Sequence, residues 1–348
     1  MAEGTVGVIG GRAAYAKGSG SGPVVLRASA FPCGPVLVRC TAPDALSNLV
    51  AVLELATDGR MRCRAASRRP LTSTVRLVED ALVAGDYYDG ADRGAERHGG
   101  GERHGADEPI AAYAWPMLLQ AGGLARLAGT RLELTPRGES VLAAPSYPAL
   151  GALWDRWLKS VSQDELSRIE AVRGQRKPAT LTVAAKRRAA VAAGLATLEP
   201  GIWVEVDALF GILQAQPAPL VLTRSPLARW RLYLVDSRRG SLGPAGWKAW
   251  NVLEGRYALC ALFEYAATLG VVDVAYTGPR GARGDYRGLW GADRYDSLSR
   301  YDGLAAVRVN ELGAAILHNP GALPALGLPV PGQGSRPGRP TARGARPS

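Results

Sequence analysis

The sequence predicts an α+β fold, mainly helical, in which two like modules are joined by a helical linker and flanked by flexible N- and C-terminal segments. Three observations predict it. Apolar residues recur at helical spacing in several segments. Short alternating stretches, each opening just after a glycine, supply strands. The order helix, Gly, strand, return strand, polar cap, helix then occurs once in each half of the chain. The boundaries that follow are a leader at 1–40, a first module at 41–147 with an insertion at 88–108, a linker at 148–180, a second module at 181–320 with an insertion at 277–303, and a basic tail at 321–348.

Residues 1–40 are rich in Gly, Ala, Ser and Val without helical period, which predicts a flexible leader. Gly7-Val8-Ile9-Gly10-Gly11 is the one glycine-rich loop candidate, but the stretch that follows it cannot form the helix a dinucleotide fingerprint needs. Leu46, Leu49, Val50, Leu53 and Leu55 predict a helix over 42–56. A second helix opens near Thr72 or Ser73, just after Pro70, and carries Val75, Leu77, Val78, Leu82 and Val83. Segment 88–108 repeats Glu-Arg-His-Gly and reads as a solvated insertion, with His98 and His104 among its polar residues. Helical pattern resumes over Ala111–Gln120, although Pro116 disfavours its first turn.

The most informative stretch comes next. Gly122-Gly123 end the helix, Leu124–Leu127 alternate as a strand, Ala128-Gly129-Thr130 turn, and Arg131–Leu134 alternate again. Thr135 is a good N-cap, with Pro136 at the first helical position. The same order returns in the second half. Arg256–Leu269 is a helix, Gly270 breaks it, and Val271–Tyr276 is β-branched and strand-like. After the insertion at 277–303, Leu304–Val309 returns and Asn310 caps a last helix with Gly313 three residues on. Between the copies, Leu150–Val172 reads as one amphipathic helix bearing Trp154, Trp157 and Leu158. A basic helix covers Leu181–Leu198, and a further helix is capped by Asp207.

The chain has 348 residues and a formal net charge of +11, nearly all of the basic excess being arginine. Such a charge suits an anionic partner, nucleic acid first and an acidic membrane surface second, although a GC-rich coding bias also raises arginine. No run of about 18 apolar residues occurs, so no membrane span is expected. The start of the chain lacks the order of a secretory signal, and the four cysteines include no CxxC pair. A reducing cytoplasm with unlinked thiols is the expectation.

No catalytic constellation emerges: there is no GxxxxGK[ST], HExxH or GxSxG motif, and the carboxylates Asp164, Glu165 and Glu170 read as a solvated helix face. No enzyme, cofactor, metal site or small-molecule ligand is therefore expected. Binding candidates are stronger. Arg60, Arg62, Arg64, Arg68 and Arg69 fall in an acid-free run directly before a helix start with Thr72 and Ser73. Arginines, hydroxyls and helix N–H groups together suit a phosphate. Arg76 and Arg131 belong to the same candidate set. Arg173, Arg176, Lys177, Lys186, Arg187 and Arg188 form a second acid-free cluster, either a phosphate-contacting face or an exposed linker. The insertion at 277–303 mixes arginines and aromatics with Asp285, Asp293, Asp296 and Asp302, and so favours an aromatic-pinned loop over a phosphate-facing wing.

Residues 60–143, with Arg68-Arg69-Pro70 before a helix and the exit Leu134-Thr135-Pro136-Arg137-Gly138, resemble the winged-helix accessory domain found beside bacterial helicases of the XPB type. The two copies together resemble tandem winged-helix DNA-binding proteins. The resemblance covers about a quarter of the chain and implies DNA engagement or docking onto a helicase, without ATP hydrolysis, since the motor is missing. The expectation is a non-enzymatic DNA-binding protein with two winged-helix modules, one helix of each entering a groove. The alternative is a protein-docking assembly subunit of a nucleic-acid-processing complex.

Overall fold

The computed structural model describes residues 36–88, 109–169, 171–173, 181–236, 240–244, 250–288 and 295–326, together with two short paired strands, β1 (Gly7–Ile9) and β2 (Arg12–Ala14). The fold is α+β: helices surround small antiparallel sheets. Strand β3 (Leu37–Arg39) leads into α1 (Ala42–Thr57), which opens on Pro43 and buries Leu46, Leu49, Val52 and Leu53 along one stripe. Segment 60–64 is extended and alternates strictly, with Met61 and Cys63 fully buried and Arg60, Arg62 and Arg64 exposed. Helix α2 (Thr72–Ala81) follows where the sequence predicts it.

Helix α3 (Ala111–Ala121) is buried on every side from Ala111 to Leu119. Its N-terminus is capped from across the 89–108 segment. The Asp86 carboxylate accepts from the backbone N–H of Ile110, Ala111 and Ala112, at 2.9, 3.3 and 2.8 Å. Pro116 is accommodated inside the helix rather than breaking it. Strands β4 (Ala125–Ala128) and β5 (Arg131–Leu134) form a tight hairpin, and Arg62 pairs with Arg131 on the free side of β5. Helix α4 (Pro136–Ala143) closes this unit.

Helix α5 (Tyr147–Lys159) ends at Lys159, well short of the single helix expected to reach Val172. A 3-10 turn over Glu165–Arg168 and strand β6 (Val172–Arg173) follow. Trp154 and Trp157 are buried, and Trp157 stacks on Tyr265 with ring centroids 5.0 Å apart. The expected linker is thus part of the core, because two indole rings bury too much apolar surface to stay on a solvated connection.

The second half follows the same order of elements, with a short helix and a small sheet interposed. Helix α6 (Ala184–Ala196), strand β7 (Trp203–Glu205) and helix α7 (Val206–Ala215) take the places of α1, segment 61–63 and α2. The cap position of α7 is Glu205, not Asp207. Short helix α8 (Pro226–Trp230) precedes a small sheet in which β8 (Tyr233–Asp236) pairs with both β6 and β9 (Gly240–Pro244). Helix α9 (Arg256–Cys260) is extended by π-helical turns at Asn251–Gly255 and Ala261–Ala266, and every residue from Val252 to Tyr276 is buried. Strands β10 (Val272–Tyr276) and β11 (Leu304–Val309) pair, β7 adds to β11, and α10 (Glu311–His318) closes the unit.

The correspondence reaches individual atoms. Gly123 and Gly270 both take positive φ (66° and 76°), and the next N–H reaches back five residues, Leu124 to Leu119 and Val271 to Ala266, each at 2.9 Å. Thr135 Oγ1 and Asn310 Oδ1 each accept from the N–H three residues on, those of Gly138 and Gly313. At both of those glycines an added Cβ would overlap a backbone carbonyl oxygen, that of Leu124 and of Val271 respectively.

The last residues of the expected leader, 36–40, are part of the fold. Strand β3 pairs antiparallel with β10, giving a four-stranded sheet in the order β3-β10-β11-β7. Thr41 fastens the junction: its N–H donates to Asp273 Oδ1 at 3.0 Å and its hydroxyl to the Val272 carbonyl at 2.6 Å. Gly7-Val8-Ile9 of the glycine-rich candidate is a strand and not the start of a phosphate loop.

Candidate nucleic-acid interface

Alternation along 60–64 puts Arg60, Arg62 and Arg64 on one outward face, spaced every second residue at about 6.6 Å. Pairing extends that face sideways. Arg131 stands directly opposite Arg62, and Arg126 lies on the same side of β4, opposite Glu133. Leu127 and Leu132 face the other way, towards α1, which anchors the hairpin. The outcome is a flat two-dimensional array of exposed arginines on rigid paired backbone.

Helix α2 is tied to the same array. Thr74 Oγ1 both donates to the Arg62 carbonyl and accepts from the Arg62 N–H, each at 2.7 Å. This fixes the helix start beside Arg62 and Arg64. The cap position is Leu71, which offers no acceptor, and the first turn holds no acid. Thr72 and Ser73 are exposed there, and Arg76 is exposed one turn further on. Uncapped N–H groups carry partial positive charge that adds to the guanidinium field.

Two features of the array work against stability. Arg62 and Arg131 are like charges directly opposite each other, a pairing that disfavours the sheet. Thr130 Oγ1, 3.4 Å from Arg62 Nη1, is the acceptor that softens it. Arg68 holds φ of 58°, a left-handed conformation that costs a non-glycine residue on the order of 1 kcal/mol. That turn is over-determined: the Arg68 N–H donates to the Arg64 carbonyl at 2.8 Å, and its carbonyl accepts from Gln120 Nε2 at 3.0 Å. Among the described residues, none of Arg60, Arg62, Arg64, Arg68, Arg76, Arg126 and Arg131 forms an ion pair. Arg69 differs from its neighbours, since Nη2 donates to Ser167 Oγ at 2.6 Å and ties the loop to the 3-10 turn.

The second candidate cluster does not assemble. Arg173 and Lys186 are exposed, whereas Arg176 and Lys177 lie outside the described residues. Arg187 and Arg188 are almost wholly buried, at 1% and 0% exposure, and they correct the expectation of a phosphate-contacting face. Arg187 pairs with Asp164 and lies over the Tyr257 ring. Arg188 Nε donates to Glu165 Oε1 at 2.8 Å, and its terminal nitrogens donate to the carbonyls of Trp157, Ser160 and Gln163. Glu165, expected on a solvated face, is instead buried and also accepts from Trp157 Nε1 and the Tyr257 hydroxyl. The physical reason is pairing. A carboxylate and a guanidinium far apart in sequence satisfy each other inside, which no acid-free window along the chain reveals.

The interior arginines repeat this pattern. Arg168 donates from Nε and Nη2 to Glu264, which also accepts from the Tyr301 hydroxyl. Arg229 grips Glu254 at 2.7 Å, and Arg308 reaches Asp273 at 2.6 Å. Arg256 takes Asp285 bidentately at 2.8 and 2.6 Å and Asp302 at 3.3 Å. Burial works to raise the Asp285 carboxyl, but Arg256 and Arg283 outweigh it and hold it below the usual carboxylate range. The second insertion is thereby fixed to α9, with Tyr286 and Tyr301 fully buried, the aromatic-pinned loop the composition favours.

Cys40, Cys63 and Cys260 are free thiols, and burial pushes Cys63 up to about 11. Among the described residues, no group of three His, Cys, Asp or Glu side chains is placed to hold a metal ion, and no helix is long and apolar enough to cross a membrane. His98 and His104 fall outside the described residues. Arg126 is the arginine of this face that a search for acid-free runs passes over, although its alternation with Ala125 and Leu127 is a readable signal. No family model, no curated protein and no solved structure matches this chain.

Proposed function

We propose that the chain is a non-enzymatic DNA-binding protein of two winged-helix-like modules, the first of which holds phosphates on the face built by segment 60–64, the β4–β5 hairpin and the start of α2. The repeated order helix, strand, helix, helix, hairpin, helix supports the winged-helix reading, because the short strand after the first helix pairs with the second hairpin strand in both copies. One observation carries the functional reading. The interior arginines described above each have a carboxylate, whereas the arginines of this face have none and include a like-charged cross-strand pair. A face that costs stability and whose arginines form no ion pair among the described residues suits an external polyanion.

Binding of duplex DNA as a function of salt tests this. With about five phosphates engaged, log affinity falls against log salt with a slope near −4.5, and Arg62→Ala with Arg64→Ala brings it to about −2.7. Absence of binding at low salt overturns the proposal. A second reading, a protein-docking assembly subunit, is favoured by one finding. Helix α3 and the α9 helix, the two that precede the hairpins, are buried, with α3 packed on the π turn Ala261–Ala266, so neither is free to enter a groove. Under that reading nucleic acid stays unbound while the same arginines are needed to capture an acidic protein.

A further inference from the structure

We propose that the ligand of the arginine face is the backbone of duplex DNA, bound without reading base sequence. This rests on the function proposed above and narrows it. Reading sequence in the major groove calls for an exposed helix or ribbon whose side chains reach base edges. Both pre-hairpin helices are enclosed by the fold, Ala111–Leu119 in the first unit and Val252–Ala266 in the second. The hairpin tip that remains outside is Ala128-Gly129-Thr130, two side chains of which carry no hydrogen-bonding group. Between Arg64 and Arg68 the exposed residues are small, Ala65, Ala66 and Ser67. Beside them α2 exposes Thr72 and Ser73 at its start and Arg76 a turn further on, so the face presents guanidinium and short hydroxyl groups at a helix N-terminus, which suits phosphate oxygens.

The choice of duplex over single strand follows from where the aromatic rings stand. Single strands are held by stacking bases on exposed rings beside a basic groove. In the first unit Tyr87, Tyr88, Tyr113 and Trp115 are buried, two of them packed against Phe263 of the second unit. The arginines themselves form a grid several strands wide on paired backbone, not a single line along a groove. A rigid, two-dimensional cationic grid complements a surface on which phosphates are also fixed in two dimensions.

Fluorescence anisotropy on the full chain tests this with duplexes of about 20 base pairs in several unrelated sequences and with their separated strands, titrated at low salt. The expected result is affinity equal across duplex sequences within about threefold, less than one mismatch costs a base-read site. Each single strand should bind at least about tenfold more weakly. Arg62→Glu should lower affinity for every duplex alike. A preferred duplex sequence, or a single strand bound as tightly as the duplex, overturns this inference and leaves the proposed DNA binding standing. No binding to any probe removes that proposal as well.

Discussion

The two units share one order of elements and treat arginine in opposite ways. In the second, Arg256, Arg283 and Arg308 turn inward onto Asp285, Asp302, Asp207 and Asp273, and the guanidinium groups pin an insertion and a sheet. In the first, the arginines on the corresponding strand and hairpin point outward and form no ion pair among the described residues. Unpaired positive charge is therefore concentrated on one face of the first unit. In the second unit the arginines of the strands and insertion cross-link the fold, and in the first those of the strand and hairpin stay exposed without an ion pair among the described residues.

Substitutions in each unit separate the two uses of arginine, and the largest effect belongs to the inward set. Asp302→Ala leaves Arg256 buried with half its partners, so stability should fall by about 3 kcal/mol in chemical denaturation. A loss under 1 kcal/mol would make these ion pairs incidental. Next come the matched glycines. Gly138→Ala and Gly313→Ala should each cost about 2 kcal/mol, because each Cβ meets a carbonyl oxygen, and comparable melting shifts in both would uphold the repeat. Strongly unequal shifts would mean that the copies only look alike.

The acid response comes third. The Asp285 carboxyl is held below the usual range in the folded chain, so its contribution is present above the unfolded carboxylate value of about 3.9 and fades as pH falls through the lower folded value. Asp285→Asn should therefore flatten the loss of stability on acidification below that value, read by denaturation at stepped pH. The smallest change in stability belongs to the outward set. Arg62→Glu converts a like-charged pair with Arg131 into an opposite one and should stabilise the fold by about 0.5 kcal/mol while weakening DNA binding. Should the variant destabilise the chain, the arginines serve the fold after all.

What the sequence discloses and what it conceals divides by range. Gly123 and Gly270, the caps Thr135 and Asn310, and the alternation of both hairpins are legible, since each is decided by residues within a few positions. The outward array is partly legible as well, because Arg60, Arg62 and Arg64 alternate with Met61 and Cys63. The burial of Arg187 and Arg188 is not. Their partners Asp164 and Glu165 lie in a different segment, and in a local window the arginines read as one basic face with Lys186. Capping of α3 by Asp86 is hidden for the same reason, since the whole 89–108 segment separates donor from acceptor. The enclosure of α3 and α9 is a property of how the units meet, which no period within either unit records.

Strand β3 carries a consequence for the order in which the protein is made. Its partner β10 is completed only after the ribosome has added most of the chain, with 232 positions separating Thr41 from Asp273. At ordinary rates of synthesis that is a wait of roughly ten seconds to most of a minute, during which Leu37 and Val38 present an unmatched edge. The first unit can form α1, its hairpin and α4 within that interval. The second cannot complete its sheet without β3, the strand that leads into α1, so cutting the chain between the units would leave the C-terminal piece one strand short.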